Sequence, residues 1–157
     1  MKRLHSYKTQ VEWTGNKGIG TVTAAAYERS HTVSVEGKPL LHCSSDAPFR
    51  GDVSKHNPED FLLSALSSCH MLWYLHLCAD AGIVVTAYVD HATAKMQEHE
   101  SGGGNFIEAT LHPTITLKNA EKIEIAKQLH EQANKKCFIA NSCNFPVKHE
   151  ATYIVEP

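Results

Sequence analysis

Five cysteines are the side chains of this 157-residue chain that are best suited to covalent chemistry. The five cysteines are Cys43, Cys69, Cys78, Cys137 and Cys143. No two of them form a CxxC pair. An odd number of such cysteines is typical of a reducing compartment, where each one is either a small packing side chain or a reactive thiol. The residue types therefore point first to thiol chemistry.

A long helix is predicted to carry Cys69, which lies in "HNPEDFLLSALSSCHMLWYLHLCADAGI", the most apolar part of the chain. Asn57 is a capping residue, and the proline and two acidic residues that follow it favour a first helical turn. Gly82 ends the pattern, so we expect a helix over Pro58–Ala81. Its apolar residues cover nearly the whole circumference, which is typical of a helix buried on nearly all sides. Since one small sheet covers one face only, we expect a second copy of the chain to cover the other.

The helical spacing predicts where the reactive side chains of this segment point. Cys69 lies on the stripe of Leu62 and Trp73, so we expect it to face packed apolar surface. Cys78 follows nine residues later, half a turn out of phase, and cannot pair with Cys69 within the helix. His70 points about 100° away from its neighbour and is expected to pack rather than to activate the thiol.

Metal binding is not favoured by these spacings. His76 shares a face with Cys69 but stands about 10.5 Å along the axis, too far for two ligands of one zinc ion. His70 and His76 lie on different faces of the helix. Cys137 and Cys143, in "CFIANSC", lack the spacing of zinc-finger ligands. We therefore expect no metal.

The first part of the chain is predicted to form strands. Segments rich in Val, Thr and Tyr flank the turn signal "TGNKG", which indicates a hairpin of Tyr7–Trp13 and Gly20–Glu28. Residues 31–43, "HTVSVEGKPLLHC", are expected to hold a third strand. The polar segment before the long helix lacks periodicity and is expected to be a loop.

The second part of the chain is predicted to add strands and one further helix. Residues 83–97 and 104–118 are strand-like, and "HESGGG" between them indicates a hairpin connection. Residues 119–137 are typical of an amphipathic helix capped by Asn119, with one apolar stripe of Ile123, Ala126, Leu129 and Ala133. Residues 150–156 are expected to form the last strand. The order predicts a single α+β domain over residues 1–157.

Charge and composition exclude several classes of partner. The formal net charge of −2 contains no basic run, so we expect neither nucleic acid nor an anionic membrane as a partner. The N-terminal segment "MKRLHSYKTQVEW" lacks the continuous apolar core of a signal peptide, which predicts a cytoplasmic protein. Serines and histidines interrupt the long apolar stretch, which argues against a membrane span.

Three segments together resemble the OsmC/Ohr family, the osmotically induced and organic hydroperoxide resistance proteins. They are "NPEDFLLSALSSCH", with a cysteine ten residues beyond the glutamate, "KKCFIANS" near the C-terminus, and "VEWTGNKGIGTVT" near the N-terminus. The resemblance covers nearly the whole chain. It implies an antiparallel sheet wrapped around a long buried central helix, in an intertwined homodimer.

The resemblance also implies roles for individual residues. Cys69 would be the peroxidatic cysteine and Cys137 the resolving cysteine. Glu59 would orient a catalytic arginine, because a carboxylate alone raises the pKa of a nearby thiol. Arg50, in the loop before the helix, is the favoured arginine, and Arg29 is the alternative.

The implied activity is a thiol peroxidase that reduces organic hydroperoxides without a cofactor. The peroxidatic cysteine becomes a sulfenic acid, the resolving cysteine forms a disulfide with it, and an external dithiol, of lipoyl type, restores both thiols. Glu59 and Cys69 are ten residues apart, about 15 Å along one helix, so a shared site requires two chains. Phe138 departs from the proline usual in the family, and Cys143 is a further thiol that could replace Cys137.

Two other functions fit the same architecture. A hotdog-like acyl thioesterase also wraps a sheet around one apolar helix, but it needs a carboxylate rather than a cysteine. A non-catalytic dimer would bind a small molecule at its apolar interface, and its cysteines would only pack. A peroxidase requires the Cys69 thiol for activity, whereas neither the thioesterase nor the binding dimer does.

Overall fold

The computed structural model describes residues 3–118 and 120–156, and it combines helices with short strands. The helices are α1 (Pro58–Asp80) and α2 (Ile123–Lys136). The strands are β1 (Gln10–Trp13), β2 (His31–Ser34), β3 (Leu41–Cys43), β4 (Val85–Asp90), β5 (Thr93–Glu98), β6 (Gly104–Leu111), β7 (Pro113–Leu117), β8 (Val147–His149) and β9 (Thr152–Val155). The chain divides into two compact units, Met1–Phe61 and Leu62–Pro157, with the boundary inside α1.

The first unit contains an antiparallel sheet in the order β1-β2-β3. The prediction that Gly20–Glu28 forms a strand paired with β1 is wrong. This segment is a loop, and β1 pairs with β2. The loop is fixed by side chains, because Asn16 Oδ1 accepts the N–H groups of Gly18 and Gly20 at 2.8 and 3.0 Å. Its Val and Thr residues satisfy a strand pattern, but these turn contacts compete with pairing.

Residues 31–43 form two strands rather than the single strand expected. β2 and β3 pair as a hairpin, with Val33 opposite Leu41. The turn between them includes Gly37, whose φ of 76° is readily adopted only by glycine. The predicted loop that follows contains one turn of 3-10 helix, Ala47–Phe49.

The ends of α1 agree with the local signals in the sequence. The Asn57 side chain accepts the Asp60 N–H at 2.8 Å, as a helix cap does. At the other end Gly82 has a φ of 64°, and the next N–H, of Ile83, reaches back to the Cys78 carbonyl at 2.8 Å. This left-handed ending satisfies carbonyls that the last turn leaves free.

Within this chain α1 buries one stripe rather than its whole circumference. The buried side chains are Leu66, His70, Tyr74, Leu77 and Cys78. Leu72 is 63% exposed, and Cys69 lies only partly buried beside the stripe. The expectation that Cys69 faces packed apolar surface is therefore wrong in part, because His70 and Tyr74 occupy the centre of the buried face. By length and composition α1 could also cross a membrane, a weak test that core helices of soluble proteins pass.

The second unit contains two further three-stranded sheets, ordered β4-β7-β9 and β5-β6-β8. The predicted hairpin at "HESGGG" is confirmed, since β5 and β6 pair antiparallel. The expectation of a wholly antiparallel sheet is wrong, because β8 pairs parallel with β6 and β9 parallel with β7. α2 lies between these strands in sequence, and a crossover helix of this kind permits parallel pairing.

Both long strand-like segments of the second unit are interrupted. His112 alone separates β6 from β7, and two residues separate β4 from β5. Asp90, the last residue of β4, accepts the His112 N–H at 2.7 Å and a hydrogen bond from the Ser67 hydroxyl of α1. One carboxylate therefore joins the strand break to the helix.

α2 follows a turn of 3-10 helix, Ala120–Lys122, and its predicted apolar stripe is largely confirmed. Its buried residues are Ala126, Leu129, His130 and Ala133. The predicted cap Asn119 lies outside the described residues. Lys122 donates to the carbonyls of Ala81 and Gly82 at 3.1 and 2.9 Å, so the start of α2 is held to the end of α1.

Candidate thiol site

Cys69 lines a cavity of about 520 Å³ beside the buried face of α1. Successive turns of α1 supply one wall, and the loop after α2 supplies the other. The lining residues are Ala65, Ser68, Cys69, Leu72, Trp73, His76, Phe138 and Ile139. The thiol is half-buried, so a small molecule that enters the cavity can reach it.

Cys137 lies at the C-terminal end of α2 and is 1% exposed. Its backbone N–H donates to the carbonyls of Ala133 and Asn134 at 2.9 and 3.2 Å, so the backbone continues the last helical turn. Its Sγ accepts the Ala140 N–H at 3.3 Å, and the Asn141 N–H donates to its carbonyl at 3.0 Å. The turn after α2 thus fixes the position of the thiol.

The side chains of Cys69 and Cys137 interact with each other, although the residues are far apart in sequence. Burial raises the pKa of Cys137, and the contact with Cys69 raises it further. Cys137 therefore keeps its proton in the resting protein and can donate it towards the Cys69 sulfur. The pair therefore combines a partly exposed thiol, Cys69, with a buried thiol, Cys137.

Aromatic side chains form the wall around Cys69. The Trp73 ring lies 5.8 Å from His76 and 6.0 Å from Phe138, both edge to face. The Lys136 ammonium lies 5.2 Å from the centre of the Trp73 ring, which is cation–π distance. Phe138 is 71% exposed, so much of the apolar surface at the cavity remains accessible.

Glu59 and Arg50, the other predicted site residues, belong to the first unit, whereas both thiols belong to the second. Glu59 Oε2 is buried without a hydrogen-bond partner among the described residues. Arg50 is exposed and has a left-handed backbone, with a φ of 64°. The alternative, Arg29, donates to the carbonyls of Ala24 and Tyr27 at 2.7 and 2.9 Å.

The three remaining cysteines do not line the cavity of Cys69. Cys43 and Cys78 are almost completely buried, and burial raises the pKa of each. Cys143 is half-buried in the turn after α2, and burial raises its pKa also. Cys137 does not line the cavity either, but it interacts with Cys69, so Cys137 rather than Cys143 is the candidate partner of Cys69.

Sequence reasoning missed part of the cavity wall and a group of histidines. Ile139, which lines the cavity, and Lys136, whose ammonium lies over the Trp73 ring, have no spacing signal because only the fold brings them to this site. His130 and His149 pack with His70 at ring distances of 5.2 to 5.7 Å. A signal existed for His130, which follows the predicted stripe residue Ala126 by one helical turn. Within residues 3–118 and 120–156, no cluster of His, Cys, Asp or Glu has metal-binding geometry.

A family model described as OsmC-like protein matches residues 51–152. The chain belongs to the OsmC-like family. The matched region includes the cysteine helix, both thiols of the site and α2, and it confirms the resemblance seen in the sequence. No curated protein sequence matches the chain.

Solved structures of OsmC-like proteins have the same fold. An OsmC-like protein of unknown function from Vibrio cholerae is 26% identical, with a TM-score of 0.83 over 94% of this chain and 99% of that chain. An organic hydroperoxide resistance protein from Elizabethkingia anophelis is 20% identical, with a TM-score of 0.71 over 99% and 100%. The organic hydroperoxide resistance protein OsmC from Legionella pneumophila is 14% identical, with a TM-score of 0.67 over 98% and 100%. The fold of this OsmC-like chain is therefore shared with proteins named for hydroperoxide resistance.

Proposed function

We propose that this OsmC-like protein reduces organic hydroperoxides to alcohols, with Cys69 as the attacking thiolate and Cys137 as the resolving thiol. The observation that carries the proposal is the contact between these two thiols beside an apolar cavity. The names of its structural neighbours from Elizabethkingia anophelis and Legionella pneumophila support the same activity.

The first step is nucleophilic attack by the Cys69 thiolate on the terminal oxygen of the hydroperoxide. The O–O bond breaks, the hydroxyl oxygen stays on sulfur as a sulfenic acid, and the alkoxide takes a proton to leave as the alcohol. Sulfur is oxidised by two electrons and the peroxide is reduced by two. The contact with the Cys137 S–H supports this step because a thiol donor stabilises a thiolate.

The second step joins the two sulfurs. The sulfur of Cys137 displaces hydroxide from the Cys69 sulfenic acid, and the Cys137 proton leaves with that hydroxide as water. The two side chains already interact in the resting protein, which favours formation of the disulfide. An external dithiol, which we expect to be of lipoyl type, then reduces the disulfide by two thiol–disulfide exchanges and is itself oxidised to a disulfide.

The cavity favours an organic substrate over hydrogen peroxide. Leu72, Trp73, Phe138 and Ile139 offer an apolar and aromatic surface beside the thiol. Burial of an alkyl or aryl group there contributes roughly 25 cal/mol per Å² of apolar area removed from water, an interaction that hydrogen peroxide cannot make. The proposal therefore includes selectivity for peroxides with an apolar substituent.

Arg50 and Glu59 complete the proposed site from a second copy of the chain. Glu59 has a buried carboxylate oxygen without a partner among the described residues, and Arg50 is exposed. A guanidinium stays charged and can hold a carboxylate and a thiolate in fixed relation, so it suits the role of orienting the attacking sulfur. The exposed apolar surface at Leu72 and Phe138 is available to such a second copy.

Thiol counting and mass spectrometry test the redox cycle. The reduced protein receives one equivalent of cumene hydroperoxide, and we expect two thiols to be lost and a Cys69–Cys137 disulfide to appear. Cys69→Ser should lose no thiols, and Cys137→Ser should hold a sulfenic acid that dimedone traps. Cys143→Ser is the matched control and should form the same disulfide as the wild type.

The same experiment separates the rival functions. Unchanged thiol counts in the wild type would contradict the peroxidase and favour a non-catalytic binding dimer. Hydrolysis of an acyl thioester that survives Cys69→Ser would favour a thioesterase.

Mixing two inactive variants tests whether the site uses two chains. Cys69→Ser keeps Arg50, and Arg50→Gln keeps the thiol, so a mixed dimer has one complete site if the arginine acts on its partner. Equal amounts should regain roughly a quarter of the wild-type sites after exchange. No recovery in verified mixed dimers would contradict the shared site.

A further inference from the structure

Two of the three arginines in the chain line one small cavity of the first unit, apart from the thiol site. Its volume is about 280 Å³. The lining residues are Glu28, Arg29, Ser30, Ser44, Arg50, Gly51 and Asp52. The third arginine, Arg3, does not line it. Both positions that sequence reasoning offered for a catalytic arginine therefore meet in one place.

The two acidic residues of this cavity are already neutralised by lysines. Lys17 Nζ lies 3.0 Å from Glu28, and Lys55 Nζ lies 3.2 Å from Asp52. Bonds from Ser54 and Lys55 lower the pKa of Asp52 to about 2, so it remains an ionised partner for the lysine. The guanidinium charges are consequently left without a carboxylate partner among the described residues.

The remaining polar side chains of the cavity can all donate hydrogen bonds. Arg29 uses Nη1 for two loop carbonyls and stacks on Tyr27 at 4.2 Å, and its Nε and Nη2 groups have no hydrogen-bond partner within residues 3–118 and 120–156. The Ser30 hydroxyl accepts from Lys55 and the Ser44 hydroxyl accepts from the Asp52 N–H, so each can donate its own proton. A cavity of free donors with surplus positive charge fits an anion.

The backbone around Arg50 is fixed in an unusual conformation. Arg50 is the one non-glycine residue with positive φ in the described part of the chain. A Cβ on the next residue, Gly51, would lie 1.5 Å from the Ser45 carbonyl oxygen, so only glycine fits there. The Arg50 N–H donates to the Ala47 carbonyl at 3.0 Å and ends the 3-10 turn, so this conformation fixes where the Arg50 side chain leaves the backbone.

We propose that this cavity binds a phosphate group, held by the guanidinium groups of Arg29 and Arg50 and by the hydroxyls of Ser30 and Ser44. Two guanidinium groups suit a dianion, and their planar forks match the oxygens of a tetrahedral oxyanion. The groups that hold the phosphate belong to the first unit, and because Arg50 is also the arginine of the proposed peroxidase site, the inference is tested by phosphate binding rather than by peroxide turnover. The ligand is either free phosphate or the phosphate group of a small ester.

Isothermal titration of the full-length chain tests this site, with inorganic phosphate as the probe and chloride holding the ionic strength constant. We expect saturable binding of one phosphate per chain. Arg50→Gln should weaken it at least about tenfold, because charge-assisted hydrogen bonds are lost. Arg50→Lys should recover part of the affinity, and Arg3→Gln, the matched control, should bind as the wild type does.

The outcomes are separable from folding and from peroxidase activity. Thermal unfolding without phosphate verifies that each variant folds, and a Cys69→Ser background removes peroxidase chemistry. Titration with glycerol phosphate and with acetate identifies the ligand class: binding of either phosphate probe with weaker binding of acetate supports the proposal. Absence of saturable phosphate binding, equal binding of acetate, or unchanged binding by folded Arg50→Gln would overturn it.

Discussion

His70 Nε2 lies 2.8 Å from Nδ1 of His130, and both side chains are 1% exposed. One ring donates and the other accepts, so the hydrogen bond requires an unprotonated nitrogen. Burial, together with a smaller contribution from repulsion by His149, lowers the pKa of His70 to about 4, and burial with repulsion by His70 and His149 lowers the pKa of His130 to about 3. The pair is therefore neutral in the folded protein at neutral pH.

Stability should fall on acidification because of this pair. Both histidines have pKa values near 6.5 when unfolded, so below that pH the unfolded chain binds protons that the folded chain excludes. Their contribution is complete above pH 6.5 and is lost as the pH falls towards about 4, by roughly 1.4 kcal/mol per pH unit for each histidine. Urea unfolding at pH 7, 6 and 5 measures this slope.

A comparison of two variants assigns the slope to the buried pair. His130→Gln removes one of the two groups and should flatten the pH dependence between pH 6.5 and 4. His99→Gln alters an exposed histidine in a hairpin connection and should leave the slope as it is. Equal slopes in the two variants would contradict the assignment.

The start of α1 should depend on its cap. Asn57 accepts the Asp60 N–H at 2.8 Å, and the Asn57 N–H donates back to the Asp60 carboxylate at 3.3 Å. Asn57→Ala removes the acceptor and should lower the free energy of unfolding by about 1 kcal/mol. Asn57→Ser keeps an acceptor and should cost much less, as measured by chemical denaturation. A serine variant as unstable as the alanine variant would show that the cap is not the cause.

Local signals were enough to predict the ends of α1 and the connection between β5 and β6. A capping residue, a glycine stop and a glycine-rich turn each act within a few residues, so the sequence displays them directly. The strand assigned to Gly20–Glu28 failed because the Asn16 side chain holds a turn there, a contact that a composition pattern does not reveal. The parallel pairing of β8 and β9 depends on where α2 returns the chain, which is a property of the whole unit.

The candidate site was predicted less completely than the fold. Residue type and helical position marked Cys69, and family resemblance marked Cys137, but only the packing of α2 against α1 brings the two thiols together. The burial of Cys69 was overestimated because an apolar stripe does not say which residue lies at its centre. His70 and Tyr74 take that position, which leaves the thiol at the edge beside the cavity.

Loss of the Asp90 side chain should lower the free energy of unfolding of the protein. Its carboxylate accepts the His112 N–H at 2.7 Å and a hydrogen bond from the Ser67 hydroxyl. Asp90→Ala leaves two partly buried donors unsatisfied, so we expect a loss of about 2 kcal/mol in the free energy of unfolding. Ser67→Ala removes only one donor and should cost less. Chemical denaturation of both variants measures the difference, and equal losses would contradict this account.

Phe138 should determine which hydroperoxides the thiol accepts. The ring borders the cavity of Cys69, contacts Trp73 edge to face at 6.0 Å, and is 71% exposed, so its removal should change substrate binding more than stability. Phe138→Ala should lower kcat/KM for cumene hydroperoxide roughly tenfold, because burial of an aryl group contributes about 1–2 kcal/mol. The rate with hydrogen peroxide should not change, since that substrate makes no apolar contact. Val53→Ala, an exposed apolar position of the first unit, is the control and should alter neither rate. Equal losses with both peroxides would show that Phe138 positions the thiols rather than the substrate.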